Sequence, residues 1–272
     1  MSLSRQNVKA GAGAFSRVVR FLMINIKEMK KKLFIAAAIL VMPMLARAAC
    51  EDMMTGWMTK LHPGRSVDTE RSACKAWPAN PQLTLAAITL PHDDQSAAVD
   101  LEVLVADSAS GAIVAHLYRP NAITDDAIRF SDIAIDTARY QLTPAIRAFG
   151  VRVSHEGASR ANPYGETSLS LYVLEGDTLR PVLDSIAVDH ATGEWNTQCE
   201  GSYDSTTRTI AMGPAGRDGY ASLKIAEKTV RSDTRMVKDE CVSKSAAPKQ
   251  SNVTLEYRNG RYSVPKSMQA GS

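Results

Sequence analysis

From Gln82 to Val264 the apolar residues recur at every second position, in runs too short for helices and separated by Gly, Asp, Asn and Ser. A period of two sends alternate side chains to opposite faces of an extended strand. No other feature restricts the fold so far. Leu83, Leu85 and Ala87 alternate with Thr84, Ala86 and Ile88. Leu101, Val103 and Val105 share one face while Leu104 lies on the other, which predicts a strand covered on both sides. Residues 107–111 turn that strand back onto 112–118, and segments 128–135, 145–155, 168–174, 179–188, 208–212, 221–231 and 252–264 continue the pattern. Glu175-Gly176-Asp177 reads as a hairpin turn. Asn259-Gly260 supplies the two positive-φ positions of a type I′ turn that would pair Tyr257 with Tyr262. Such closely spaced strands without a fixed repeat predict a mainly β domain over residues 82–265, an antiparallel meander closed as a sandwich or a barrel-like domain.

Residues 49–81 read differently, as a short helical N-terminal cap. A helix over 51–60 would place Met54, Trp57 and Met58 on one face. His62-Pro63-Gly64 is a turn. Residues 68–74 suggest a second helical turn capped by Asp68 or Thr69, ended by Trp77-Pro78 and Asn80-Pro81. The polar stretch 243–250 is expected as a mobile loop, and 266–272 as a loose tail.

Ahead of the cap, Lys30, Lys31 and Lys32 precede an uncharged apolar run from Leu33 to Leu45 and then Ala46-Arg47-Ala48. Those thirteen apolar residues fall short of the roughly 20 that a membrane-spanning helix needs. They suit a secretory signal peptide over 29–48, cut between Ala48 and Ala49. Residues 1–28, which carry Arg5, Lys9, Arg17, Arg20 and Lys27, read as an upstream extension with Met29 (or Met23) as the initiator. A lipid anchor on Cys50 fits less well, because Arg47 stands where a lipidation signal wants a Leu-like residue. The expected address is periplasmic or secreted, with no membrane span after processing.

Processing reverses the charge. The whole chain carries 32 basic and 29 acidic residues; the removed 48 hold nine and one, which leaves 23 against 28 and a net charge near −5. A mildly acidic domain with no basic run between aromatics lacks the footprint of nucleic-acid binding. The four cysteines, Cys50, Cys74, Cys199 and Cys241, permit three pairings. Their spacing favours Cys50–Cys74 and Cys199–Cys241, and export favours paired thiols over catalytic ones.

Motifs with a chemical mechanism are missing: no G-x-S-x-G, H-E-x-x-H, phosphate loop or dinucleotide fingerprint occurs in the sequence. His62, His92, His116, His155 and His190 are scattered, with none at chelating spacing, so neither a metal site nor a catalytic set is expected and no cofactor is implied. His92-Asp93-Asp94 and Asp189-His190 read as solvated turn residues. The segment 156–167 stands out by holding Arg160, Asn162 and Tyr164 between Gly157 and Gly165. A cation, an amide and an aromatic within five residues on a loop are a candidate partner-binding set.

Segments 136–140, 147–152, 159–164 and 193–199 mix Arg, aromatic and turn residues. With Cys74-Lys-Ala-Trp-Pro78 and Tyr262-Ser-Val-Pro265, they resemble an uncharacterised family of exported proteobacterial proteins. The resemblance implies export and carries over no activity and no site residue. The first expectation is therefore a non-enzymatic binding or structural protein of the periplasm, with a periplasmic protein as a candidate partner and the oligomeric state open. An envelope inhibitor or immunity-type protein that blocks a hydrolase is the alternative. A cell-wall or glycan hydrolase is the third reading.

Overall fold

A computed structural model describes residues 50, 52–92, 96–196 and 198–271. The segments read as signal peptide and upstream extension, and the expected cleavage point, lie outside the described residues.

The domain is a sandwich of two mainly antiparallel sheets, and neither closes into a barrel. The smaller sheet is a four-stranded meander of β1 (Asp68–Trp77), β2 (Asn80–Pro91), β3 (Ala98–Asp107) and β4 (Ile113–Thr124). The larger continues the meander through β5 (Ile128–Gln141), β6 (Arg147–Gly157), β7 (Tyr164–Glu175), β8 (Thr178–Trp195), β9 (Gly201–Ala215) and β10 (Ala221–Val237). β11 (Glu240–Ser245) and β12 (Lys249–Leu255) then run one after the other along the free edge of β10. The hairpin of β13 (Tyr257–Arg258) and β14 (Arg261–Tyr262) returns to β8, where Tyr262 pairs with Leu183 in parallel.

Three apolar layers follow from the period of two. Leu85, Ala87, Leu101, Val103 and Val105 of the small sheet face Phe130, Ile133, Phe149, Val151 and Tyr172 of the large one. The opposite face of β2 and β3, with Ala86, Ile88, Leu90, Leu104 and Ala106, lies under Met54, Trp57 and Met58 of a helix, α1 (residues 52–61). Both faces of β3 are therefore covered, as Leu104 implied. Leu169, Leu171 and Val173 on the far face of β7 join Val182, Ile186, Leu223, Ile225 and Tyr262 in a third cluster. Each aliphatic side chain so buried contributes about 1.5–3 kcal/mol.

Turn chemistry holds at residues 107–111, 175–177 and 259–260, but Asp189-His190, read as turn residues, lie inside β8 and pair with β7 and β9. Asn259 and Gly260 adopt φ of 51° and 84°, and Tyr257 pairs with Tyr262 across them. Gly64 ends α1 at φ 83°, and the Trp57 indole N–H donates to the Gly111 carbonyl, pinning the helix to the β3–β4 turn at 2.7 Å. All four cysteines are disulfide-bonded. Cys199 pairs with Cys241, which leaves Cys50 and Cys74 as the second couple.

Three further expectations are corrected. Residues 68–74 are not a helical turn but the start of β1. The Asp68 carboxylate does accept the Arg71 N–H at 3.0 Å, as an N-cap would, yet it does so inside a bulge of the strand. The cap of 49–81 accordingly contains the first strand of the small sheet and the start of the second. Residues 243–250 are not a loop: they belong mostly to β11 and β12, interrupted at 246–248 where Pro248 has no N–H to donate. The tail is not loose. Met268 is buried, Gln269 bridges to Ile186, and the Ala270 N–H donates to the Ser185 carbonyl at 3.0 Å.

Candidate functional site

β7 is apolar on one face and polar on the other. Tyr164, Glu166, Ser168, Ser170 and Tyr172 alternate with the buried Leu169, Leu171 and Val173, and the polar row faces the small sheet. Opposite it, Leu101 and Ile123 come from β3 and β4, while Val151, Val153 and His155 come from β6 and Ile128 from β5. Together these walls bound an open cleft of about 600 Å³ between the sheets. Ala270 and Gly271 of the tail form part of its rim. The size lies within the range of small-molecule sites, and so does the mixture of apolar walls with a few convergent polar groups.

A bulge in β4 shapes one end. Residues 120–122 stand opposite Asp100 alone, and Asn121 takes a positive φ of 51°. The kink leaves Arg119 on the inner face, where it spans both sheets: its guanidinium donates to the two Asp184 oxygens at 3.0 and 3.1 Å and to the Tyr172 hydroxyl at 3.0 Å. Ser170 donates to the same Asp184 carboxylate. Burial would lower the Arg119 pKa, but Tyr172 and Asp184 outweigh it and hold the guanidinium charged. At the other end the His155 Nε2–H donates to the Thr124 carbonyl at 3.0 Å, so that nitrogen carries the proton. Glu166 accepts the Gly271 N–H at 3.0 Å. Burial first, and then the Glu166 carboxylate, push the Tyr164 phenol above its ordinary range.

Of the three loop residues singled out by sequence, only Tyr164 reaches this cleft. The connection is shorter than expected, because β7 begins at Tyr164 itself. The Tyr164 ring packs edge-on against His190 at 5.6 Å. Arg160 and Asn162 stay exposed on the 158–163 loop. That loop is docked on β8 through the Trp195 N–H to Ala161 carbonyl bond at 2.7 Å and the Gly193 N–H to Pro163 carbonyl bond at 3.0 Å. Asn162 and Tyr164 together line a second, more open hollow with Gly193, Glu194 and Asp204, and Arg160 is not on its lining.

A second polar constellation lies on the outer face of the small sheet, beside the end of α1. Asp100 and Glu102, two apart on β3, share that face and are almost wholly buried. The Glu102 carboxylate accepts from His62 Nε2 at 2.6 Å and His116 Nδ1 at 3.0 Å. Asp100 accepts from His92, Tyr118, Arg65 and the Asn121 N–H at 2.5–3.0 Å. Burial pushes the Asp100 carboxyl up, but the bonds from Tyr118, Asn121, His92 and Arg65 prevail and hold it far below the usual carboxylate range. Three histidines that looked scattered thus converge. Every carboxylate oxygen here is engaged by protein donors, so the cluster works as a clamp between α1, β3 and β4 and presents no free acceptor to a ligand. Among the described residues no group of three or more His, Cys, Asp or Glu is placed to hold a metal ion.

The sequence carried one legible sign of the cleft, the Tyr-x-Glu-x-Ser-x-Ser-x-Tyr row over 164–172, which reading 168–174 as one more strand left unused. It could not show that β4 and β8 would bring Arg119 and Asp184 to that row. Comparison with family models, with curated proteins and with solved structures finds no match for this chain.

Proposed function

We propose that this chain is an exported binding protein that holds a small molecule between its two sheets. The observation that carries the reading is the cleft itself, with aliphatic walls and a polar row along β7. Export rests on the Lys30–Lys32 and Leu33–Leu45 pattern and agrees with two disulfides, which persist in oxidising compartments. The Cys50 sulfur is engaged in a disulfide, which supports a protein without a lipid on that residue. No helix among the described residues is long and apolar enough to cross a membrane.

Ala122 offers the test, since it is exposed at the rim of the cleft and outside the core. The exported protein, purified gently and then denatured, should release a small molecule that mass spectrometry detects. Ala122→Trp, which fills the cleft, should be recovered folded and empty. Equal release from both forms, or none from the native one, overturns the reading.

A further inference from the structure

We infer that the ligand of this cleft carries an organic ammonium group and that Glu166 is its counter-ion; the inference rests on the binding reading above. Glu166 is 8% exposed and lines the cleft. A carboxylate so far removed from water is costly unless a positive charge or several donors compensate it. Two neutral donors reach it, the Tyr164 hydroxyl and the Gly271 N–H, but the wall supplies no positive charge to it among the described residues. Arg119 is committed to Asp184 through both its terminal nitrogens. His155 and His190 stand opposite Glu166 on the neighbouring strands. The first donates its Nε2–H to Thr124, the second packs against Tyr164, and neither forms a salt bridge with the carboxylate among the described residues. With Asp126 also on the lining, the carboxylates of the cleft outnumber its arginine.

The tail sits where a ligand cation would donate. The Gly271 N–H, at 3.0 Å from a Glu166 oxygen, is a neutral donor in that position. An ammonium there would make a charge-assisted bond, roughly twice as strong as a neutral one. Its alkyl part would lie on Ile123, Ile128 and Val153, all on the same lining. The ligand class is thus an apolar body with a cationic head.

Three probes of one shape separate the possibilities: n-octylammonium, 1-octanol and octyl sulfate, titrated calorimetrically into the exported protein. Octylammonium should bind about tenfold more tightly than octanol, the effect of one charge-assisted contact, and octyl sulfate more weakly still. Glu166→Gln keeps an acceptor for the Gly271 N–H and should abolish the tenfold preference while octanol still binds. Ala122→Trp should remove binding of all three. Octanol or octyl sulfate binding as well as octylammonium overturns the cationic ligand and leaves the cleft-binding reading standing. A preference that survives in Glu166→Gln overturns the role of that residue. If none of the probes binds the native protein, the ligand class is overturned; the binding reading then stands if denaturation still releases a small molecule and falls with it if none is released.

Discussion

Glu102 is fully buried, and both its oxygens are occupied by histidines whose positions in the chain are 40 and 14 residues away. Removing the carboxylate strands the largely covered His62 donor, 17% exposed, against the sheet, while His116, 45% exposed, can turn to water. Glu102→Ala should therefore cost about 3 kcal/mol, the scale of breaking a buried pair, read as a lower urea midpoint at unchanged slope. A loss below half a kcal/mol would mean that water replaces the carboxylate without penalty. Asp100 makes a second prediction, in pH. Its folded pKa is depressed, so its contribution is fully present above the unfolded carboxyl value near 3.9 and is lost as pH falls below it. Stability should drop between about pH 4 and pH 2, and Asp100→Asn should flatten that limb while being less stable than the native protein at pH 7. Parallel acid limbs in the two proteins would refute the assignment. None of this was legible in the sequence, since His62, His92, His116, Asp100 and Glu102 meet only once three separate segments are folded onto β3. The alternation of Asp100 and Glu102 with Leu101 and Val103 does put two carboxylates on the face of Leu104, but nothing in it points to the histidines that meet them.

Elements were read best where hydrophobic period and turn chemistry agreed, and worst where a strand has no apolar face. β2, β3 and the Asn259-Gly260 hairpin are of the first kind. β11 is of the second: every residue from Glu240 to Ser245 is exposed, so nothing in its composition distinguishes it from a loop. What holds it is the backbone ladder to β10 and the Cys199–Cys241 link, which ties this edge to the β8–β9 connection. Lys238 and Asp239, with φ of 49° and 67°, make the tight turn between β10 and β11. The disulfide encloses a separation of 42 residues, for which the chain-entropy account gives about 4 kcal/mol. Because β11 buries no side chain, most of that constraint should be felt locally. Replacing Cys199 and Cys241 by Ser should raise amide exchange in 238–245 by orders of magnitude and leave exchange in β3 and β7 little changed. Uniform acceleration throughout the domain would show instead that the edge is coupled to the core. A contrasting change in the interior is Gly150→Ala on β6, where an added Cβ would lie 2.6 Å from Leu169 Cδ1 and 3.0 Å from the Asp136 Cβ. Overpacking of this kind costs about 1–3 kcal/mol, and thermal unfolding should report it as a lower Tm.

The two sheets share one core, and its continuity is carried by three aromatic rings. Trp77 on β1 meets Phe149 on β6 edge-on at 5.9 Å, and Phe149 stacks on Tyr172 of β7 at 5.8 Å. Phe149 is wholly buried between them, so it belongs to both sheets at once. Two polar bridges reinforce the same contact. Arg119 on β4 holds Asp184 on β8, and Arg71 on β1 reaches Asp125 at 2.6 Å and the Phe130 carbonyl at 3.2 Å. A sandwich joined this way should unfold as one unit, although the small sheet with α1 and the curled large sheet each have apolar clusters of their own. Phe149→Ala tests the coupling. Truncating a buried phenylalanine costs about 3–5 kcal/mol, and the loss should register in both sheets equally. Native-state hydrogen exchange of amides in β3 and in β7 should show the same free-energy decrease and the same denaturant dependence, as expected for coincident probes of a two-state transition. If β7 loses protection while β3 keeps its native value, the sheets are separable folding units that merely touch at Phe149. The cleft would then lie between two bodies able to part, whereas one cooperative unit holds its walls at a fixed separation before any ligand arrives.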